Sequence, residues 1–306
     1  MHAKTKLARN TFLIVLAGVT LISCSVADKL ADGDAGGAAE EFGDRILTGV
    51  AAAVEQGEFE SENFTPENRY YTGRGVSAAI LKEFPLQAPQ ESDAAHARHT
   101  YINLIGQTLL AGGNAPAQYR GYALGIISTP DPSAFSTPGG FIWVGSGLFE
   151  LVDDEDELAA AIAHEAGHAV HSHAMREYDD QSGGRIFASG YAAAAEGDPL
   201  LENTANLFGG LADIVLNASY AEEYEFEADQ TGVDLLARAG YDPSAMLRLL
   251  NKVKRYMATS DDPGKYLGGH PPIDERIARV SAYLIAKGYS ESRSEVRTAR
   301  FESVLR

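Results

Sequence analysis

The stretch Ala163-His164-Glu165-Ala166-Gly167-His168 constrains this chain more than any other. Two histidines four positions apart on an α-helix lie on one face, one turn above the other, so both imidazoles reach a single metal ion. Glu165 follows the first histidine directly and points to one side of that face. There it reaches a water on the metal without binding the metal itself. Two nitrogen ligands, a carboxylate base and an open coordination position are what a zinc hydrolase needs. The plainer alternative is a surface helix that carries His-Glu and His by chance, and the flanking residues speak against it. Asp153 or Asp154 is placed to cap the helix, and Glu157 stands at the capping-box position. Acids crowd the first turn, where the macrodipole favours them. The apolar run from Leu158 to Ala163 leads into the motif and implies a buried helix whose packing holds the ligands rigid.

Two histidines leave a zinc site one protein ligand short. A third histidine six residues after His168 is ruled out, because position 174 is Ala. His171 and His173 fall three and five positions after it and read as surface residues or supports of the ligands. The remaining ligand is then a carboxylate from another helix, and residues 222–229 offer several. Glu225 and Asp229 are four apart and share a face, so one can bind the metal while the other steadies a ligand histidine through its free ring N–H. Glu227, two positions beyond Glu225, faces away and is expected to be neutral towards the metal. His270 sits in Gly268-Gly269-His270-Pro271-Pro272, a stiff loop with glycine hinges. Three roles are open to it: filling the open metal position as a gate, donating to a developing oxyanion, or packing against the helix that follows.

A chain of 306 residues with 45% hydrophobic content supports one substantial core, and a net charge of −18 offers no basic surface to a nucleic acid. The N-terminus reads as a secretory signal over residues 1–23. Lys4, Lys6 and Arg9 precede an apolar segment, Phe12 to Ile22, that is too short to span a membrane. It ends in Leu21-Ile22-Ser23-Cys24, which looks like a bacterial lipobox; the alternative is a free thiol in an ordinary signal. Cys24 is the sole cysteine, so no disulfide forms within the chain and the expected modification is diacylation. The expected location is the cell envelope, lipid-anchored and facing the periplasm. Ser25, rather than an aspartate, leans towards the outer membrane.

Residues 24–64 read as a lipidated start, an Ala/Gly/Asp-rich tether and a short helix near 46–54. Thr65-Pro66-Glu67 announces a helix to about Phe84, and Ser92 caps another to Leu110. Tyr122–Ile127 and Phe141–Val144 read as strands, with Ala134–Gly140 as a turn-bearing loop between them. A strand beside the motif helix either offers its edge to an extended peptide or belongs to a core hairpin. The Gly/Ala-rich stretch from Ser182 to Gly197 and the helix from Leu200 to Leu216 read as a lid, a membrane-apposed hairpin or simple packing. Further helices are expected up to Gly240, from Asp242-Pro243 to about Tyr256, and from Ile273 to Ala286. Residues 291–306 read as a loose polar tail.

These motifs together resemble the zinc metallopeptidase family of the CAAX prenyl protease and HtpX, peptidase family M48, in its periplasmic lipoprotein-type branch. The resemblance rests on His-Glu-x-x-His followed by Glu225-x-x-Ala228-Asp229, with Ala134-Phe135, Pro138-Gly139-Gly140, Gly147-Leu148, Glu157-Leu158-Ala159, His270-Pro271-Pro272 and Arg276-Ile277 in family order, over roughly residues 65–285. It implies one Zn2+ per chain held by His164, His168 and Glu225, with Glu165 as catalytic base and Asp229 as supporting acid. It implies an α+β, predominantly helical, zincin-like domain at 65–290 with a small sheet beside the motif helix. The activity implied is endopeptidase action, in quality control of unfolded or misassembled envelope proteins. The competing reading is a latent or non-proteolytic binding and assembly factor for outer-membrane proteins.

Overall fold

The computed structural model describes residues 65–182, 200–217, 220–259 and 273–305. Along the chain run α1 (Pro66–Glu83), α2 (Asp93–Gly112), β1 (Ala123–Ile127), β2 (Ala134–Thr137), β3 (Phe141–Gly145), α3 (Leu148–Leu151), α4 (Glu155–His171) and α5 (His173–Ser182). There follow α6 (Leu200–Asn217), α7 (Glu222–Ala239), α8 (Ala245–Thr259), α9 (Ile273–Lys287) and α10 (Glu295–Leu305). The fold is α+β and mostly helical. The signal, Cys24, the tether, the short helix expected near 46–54, the Gly/Ala-rich stretch beyond Ser182 and His270 lie outside the described residues.

Local chemistry sets the helix starts. The Thr65 and Ser92 side chains accept the backbone N–H of Asn68 and Ala95, each at 3.1 Å. Asp154 caps α4 by accepting the Glu157 N–H at 2.9 Å, while the Glu157 carboxylate reaches back to the Asp153 N–H at 2.8 Å. This is the reciprocal logic of a capping box, shifted by one residue. Every residue of α4 from Glu155 to Ala169 is buried, so α4 is the central helix. The helices α2, α7, α8 and α10 and the strands β2 and β3 lie against it.

The sheet has the order β1-β3-β2, with β1 parallel and β2 antiparallel to β3. The expected loop at Ala134–Gly140 is therefore half strand. Ala134–Thr137 pairs with Phe141–Val144, and the chain reverses at Gly139 and Gly140, whose φ of 77° and 92° suit glycine. β2 is an edge strand: β3 takes one side, and no strand among the described residues pairs with the other.

Contrary to the expectation of a loose tail, residues 295–305 form α10, with Phe301 fully buried and Leu305 buried in the core. The polar look of this segment misleads because its arginines have buried acids to meet. Arg300 pairs with Glu155, Arg297 lies 2.8 Å from Asp156, and Arg293 lies 3.2 Å from Asp154. Tyr101 also donates to Glu155 at 2.9 Å. Phe301→Ala should lower unfolding free energy by about 3–5 kcal/mol, the usual result of emptying a buried Phe site. Urea unfolding followed by circular dichroism reads this out, and a loss under about 1 kcal/mol would show that α10 lies outside the folded core.

Candidate metal centre

The site is built where α4 meets α7. Gly167 makes this approach possible: a Cβ there would stand 2.8 Å from the Ala228 Cα and carbonyl oxygen, too close for any side chain. Across the contact, His164 and His168 of α4 face Glu225 and Asp229 of α7, and all four are buried. The Nε2 atoms of the two histidines are 3.1 Å apart. Glu225 Oε2 lies 3.5 Å from His164 Nε2, and its Oε1 lies 3.4 Å from His168 Nε2. One ligand atom from each of the three residues falls within 4.8 Å of the others, as donors to one ion do.

The other ring nitrogens are fixed from behind. Asp229 Oδ1 lies 2.9 Å from His164 Nδ1, so the carboxylate accepts that N–H and turns the Nε2 lone pair towards Glu225. Burial, and next the Arg276 charge, push the His164 imidazole below its usual range, which keeps it neutral, the state that binds metal. His168 is held by a longer chain. Its Nδ1 lies 2.9 Å from His173 Nδ1, and His173 Nε2 lies 3.0 Å from Glu227 Oε2. With Glu227 accepting from His173 Nε2–H, His173 Nδ1 accepts the N–H of His168. Tyr220 stacks on the His168 ring at 4.5 Å between centroids.

Arg276, from the first turn of α9, completes the site. Its Nε and one terminal nitrogen donate to Asp229 at 2.8 and 2.7 Å, and the other terminal nitrogen lies 3.0 Å from Glu225 Oε2. Burial alone would raise the Asp229 carboxyl, but Arg276 and then His164 overcome it and hold the group at about 2. Glu165 is buried beside His164 in the wall of a neighbouring cavity. Three buried carboxylates, Glu165, Glu225 and Asp229, thus face one guanidinium, and a divalent cation would bring the balance to neutrality. The donor set, two imidazoles and a carboxylate, fits such an ion.

Several expected residues fall as the spacing required: His164, His168, Glu225, Glu165 and Asp229 come together. Of the two histidines read as surface residues or supports of the ligands, His171 is half-buried and bonds to Thr231, and His173 is a support, lying behind His168. α4 ends at His171, Ser172 adopts a left-handed φ of 56°, and His173 opens α5 in a fully buried position. Glu227 does face away from the ligand cluster, yet it is tied to His168 through His173. Arg276 and Tyr220 had no assigned role. The signal for Arg276 lay in its period: it shares the buried stripe of α9 with Val280 and Leu284, and an arginine there needs a buried acid.

A helical domain with a small edge-stranded sheet and a His/His/Glu cluster beside a buried glutamate defines a metallopeptidase-type centre. The chain belongs to peptidase family M48, whose profile matches residues 96–284. It is similar to the β-barrel assembly-enhancing protease of Escherichia coli (strain K12), 30% identical over 185 residues, covering 58% of this chain and 37% of that protein. Metalloprotease LoiP of the same organism is 26% identical over 201 residues, covering 66% and 75% of the two chains. The mitochondrial metalloendopeptidase OMA1 of Schizosaccharomyces pombe is 28% identical over 194 residues, covering 62% and 54%.

The relay behind His168 generates a test. Glu227→Gln should weaken metal binding by about 10–100-fold with the helical content unchanged, as loss of a partner behind a ligand does. Competition with a chromophoric chelator measures it. An affinity within twofold of the parent would mean that the relay does not support the ligand.

Proposed function

We propose that this chain is a zinc-dependent endopeptidase of the bacterial cell envelope. The observation that carries this reading is the convergence of His164, His168 and Glu225 with Glu165 one residue from the first ligand. His164, His168 and Glu225 would hold the ion, one per chain. Bound there, zinc supplies Lewis acidity, lowering the pKa of water and polarising a carbonyl. Glu165 accepts the proton of the attacking water and delivers it to the leaving amine. Asp229 and His173 keep the two imidazoles in the tautomer that faces the ion. Arg276 holds Glu225 in place through the ion pair at 3.0 Å. The edge of β2, against α4, would receive the substrate as an added strand through main-chain hydrogen bonds.

The envelope location and the lipid anchor at Cys24 rest on the N-terminal signal and lipobox, and the name of one E. coli relative, the β-barrel assembly-enhancing protease, agrees with such a role. No helix among the described residues is long and apolar enough to cross a membrane. The substrates would be unfolded or misassembled envelope proteins, with outer-membrane β-barrel proteins first among them. A purely non-proteolytic assembly role would leave a buried Glu165 beside the ligands without purpose.

Glu165→Gln should retain its metal and lose peptidase turnover by about 10²–10⁴-fold. The assay is digestion of an unfolded outer-membrane β-barrel protein by metal-loaded chain. Parent-like turnover in the variant would remove Glu165 as the base, and an inert metal-loaded parent would remove the peptidase reading.

A further inference from the structure

Three segments meet at the start of α1. The turn at Gly139 packs on the helix backbone, where a Cβ would stand 2.4 Å from the Tyr70 Cα, and Gly140 packs on the Gln118 and Tyr122 side chains. Tyr70 gathers an aromatic cluster: the rings of Phe141, Tyr71 and Tyr119 lie 5.2, 5.3 and 5.8 Å from it between centroids. Arg74 and Arg120 each stand 6.0 Å from the centre of the Tyr70 ring, and Arg120 stands 5.7 Å from that of Tyr119. Both arginines are exposed, and Tyr119 is 43% exposed. Charge is locally inverted here. The chain has 43 acids against 25 lysines and arginines, yet residues 65–76, 114–123 and 138–143 together hold three arginines and one acid. That acid, Glu67, accepts the Tyr119 hydroxyl at 3.0 Å.

We propose that this tyrosine–arginine patch is a membrane-docking surface that rests on the anionic headgroups of a phospholipid bilayer. The proposal rests on the lipid-anchored envelope reading given above. Position carries it: the chain from Cys24 enters the folded domain at Thr65, the N-cap of α1, so the anchor pulls on the end of the domain that bears the patch. The chemistry agrees. A tyrosine ring with a polar tip suits the headgroup layer, where one side is apolar and the other wet. Guanidinium groups donate paired hydrogen bonds to phosphate. Screening settles the sign of the interaction. At physiological ionic strength the Debye length is about 8 Å, so the headgroups feel the arginines of the patch and little of the acids elsewhere on the domain. Tyrosine and arginine also serve protein interfaces, but the point where the anchor enters favours lipid. The acyl chains would then supply attachment, and the patch would supply orientation, turning one fixed side of the domain towards the bilayer.

The test separates the patch from the anchor. The chain without its signal, carrying Cys24→Ser, is mixed at about 0.1 M salt with an excess of vesicles of phosphatidylethanolamine and phosphatidylglycerol, and binding is read by co-sedimentation. It should bind these vesicles and not vesicles of phosphatidylcholine alone. Arg120→Gln should weaken binding about fivefold, and Arg74→Gln with Arg120→Gln about 25-fold, the usual worth of one and two arginines at an anionic surface. Arg279→Gln, which removes a surface arginine on α9, should leave binding unchanged. Circular dichroism confirms that each variant is folded. No binding to the anionic vesicles, or binding that the double variant keeps, overturns the proposal. Absence of vesicle binding together with a dimer that the double variant loses, seen by sedimentation velocity, would give the face to a second copy of the chain and likewise overturn it. Mass spectrometry of the chain with Cys24 intact then distinguishes the two claims. Arginine-dependent binding with no acyl chain on Cys24 supports the patch and defeats the anchor. An acylated Cys24 with arginine-independent binding does the reverse.

Discussion

The metal centre depends on how closely two helices approach. α4 carries the histidines and α7 the carboxylates, and the imidazole-to-carboxylate distances of 3.4 and 3.5 Å exist because Gly167 lets the backbone of Ala228 come up against it. A methyl group at that point would push the helices apart, and helix-packing distances respond to the size of the residue at the contact. Gly232 serves the same purpose a turn further along α7, where a Cβ would stand 3.2 Å from the His164 backbone nitrogen. Small residues on a buried contact thus translate directly into ligand geometry. The ligands need little freedom of their own, since both helices are already fixed by the core.

The second constraint is charge. α4 is buried along nearly its whole length yet begins with Asp154, Glu155, Asp156 and Glu157, all buried. Such acids are tolerable only when paired, because an uncompensated buried charge costs about 3–5 kcal/mol. The partners come from elements distant in sequence: Arg248 and Lys252 on α8, Arg293 before α10, and Arg297 and Arg300 on it. At the other end of the helix, Arg276 does the same for Glu225 and Asp229. The helix that carries the motif is therefore pinned at its start by α8 and the C-terminal segment, while α9 ties down α7, the helix that faces its histidines. Its position is set by ion pairs as well as by apolar packing.

The local features of this arrangement are legible in the sequence. The caps at Thr65, Ser92 and Asp154, the strand at Phe141, and the four-residue spacings of His164 with His168 and Glu225 with Asp229 are short-range patterns that the fold keeps. What is not legible depends on partners far along the chain. Four residues, Ala134 to Thr137, carry too little pattern to declare a strand until β3 stands beside them. α10 reads as a polar tail until its arginines find Glu155 and Asp156. The role of Arg276 requires Asp229, on another helix, and that of His173 requires the break at Ser172, a left-handed residue that no glycine marks.

The central claim is that Glu225 joins His164 and His168 as the third protein ligand of one ion. Zinc content of purified, dialysed parent and Glu225→Ala chains, measured by mass spectrometry of the metal at matched folded fractions, tests it most directly. The account predicts about one zinc per chain in the parent, as for a site with three protein ligands, and near-complete loss in the variant. Full zinc retention by a folded Glu225→Ala chain would contradict it.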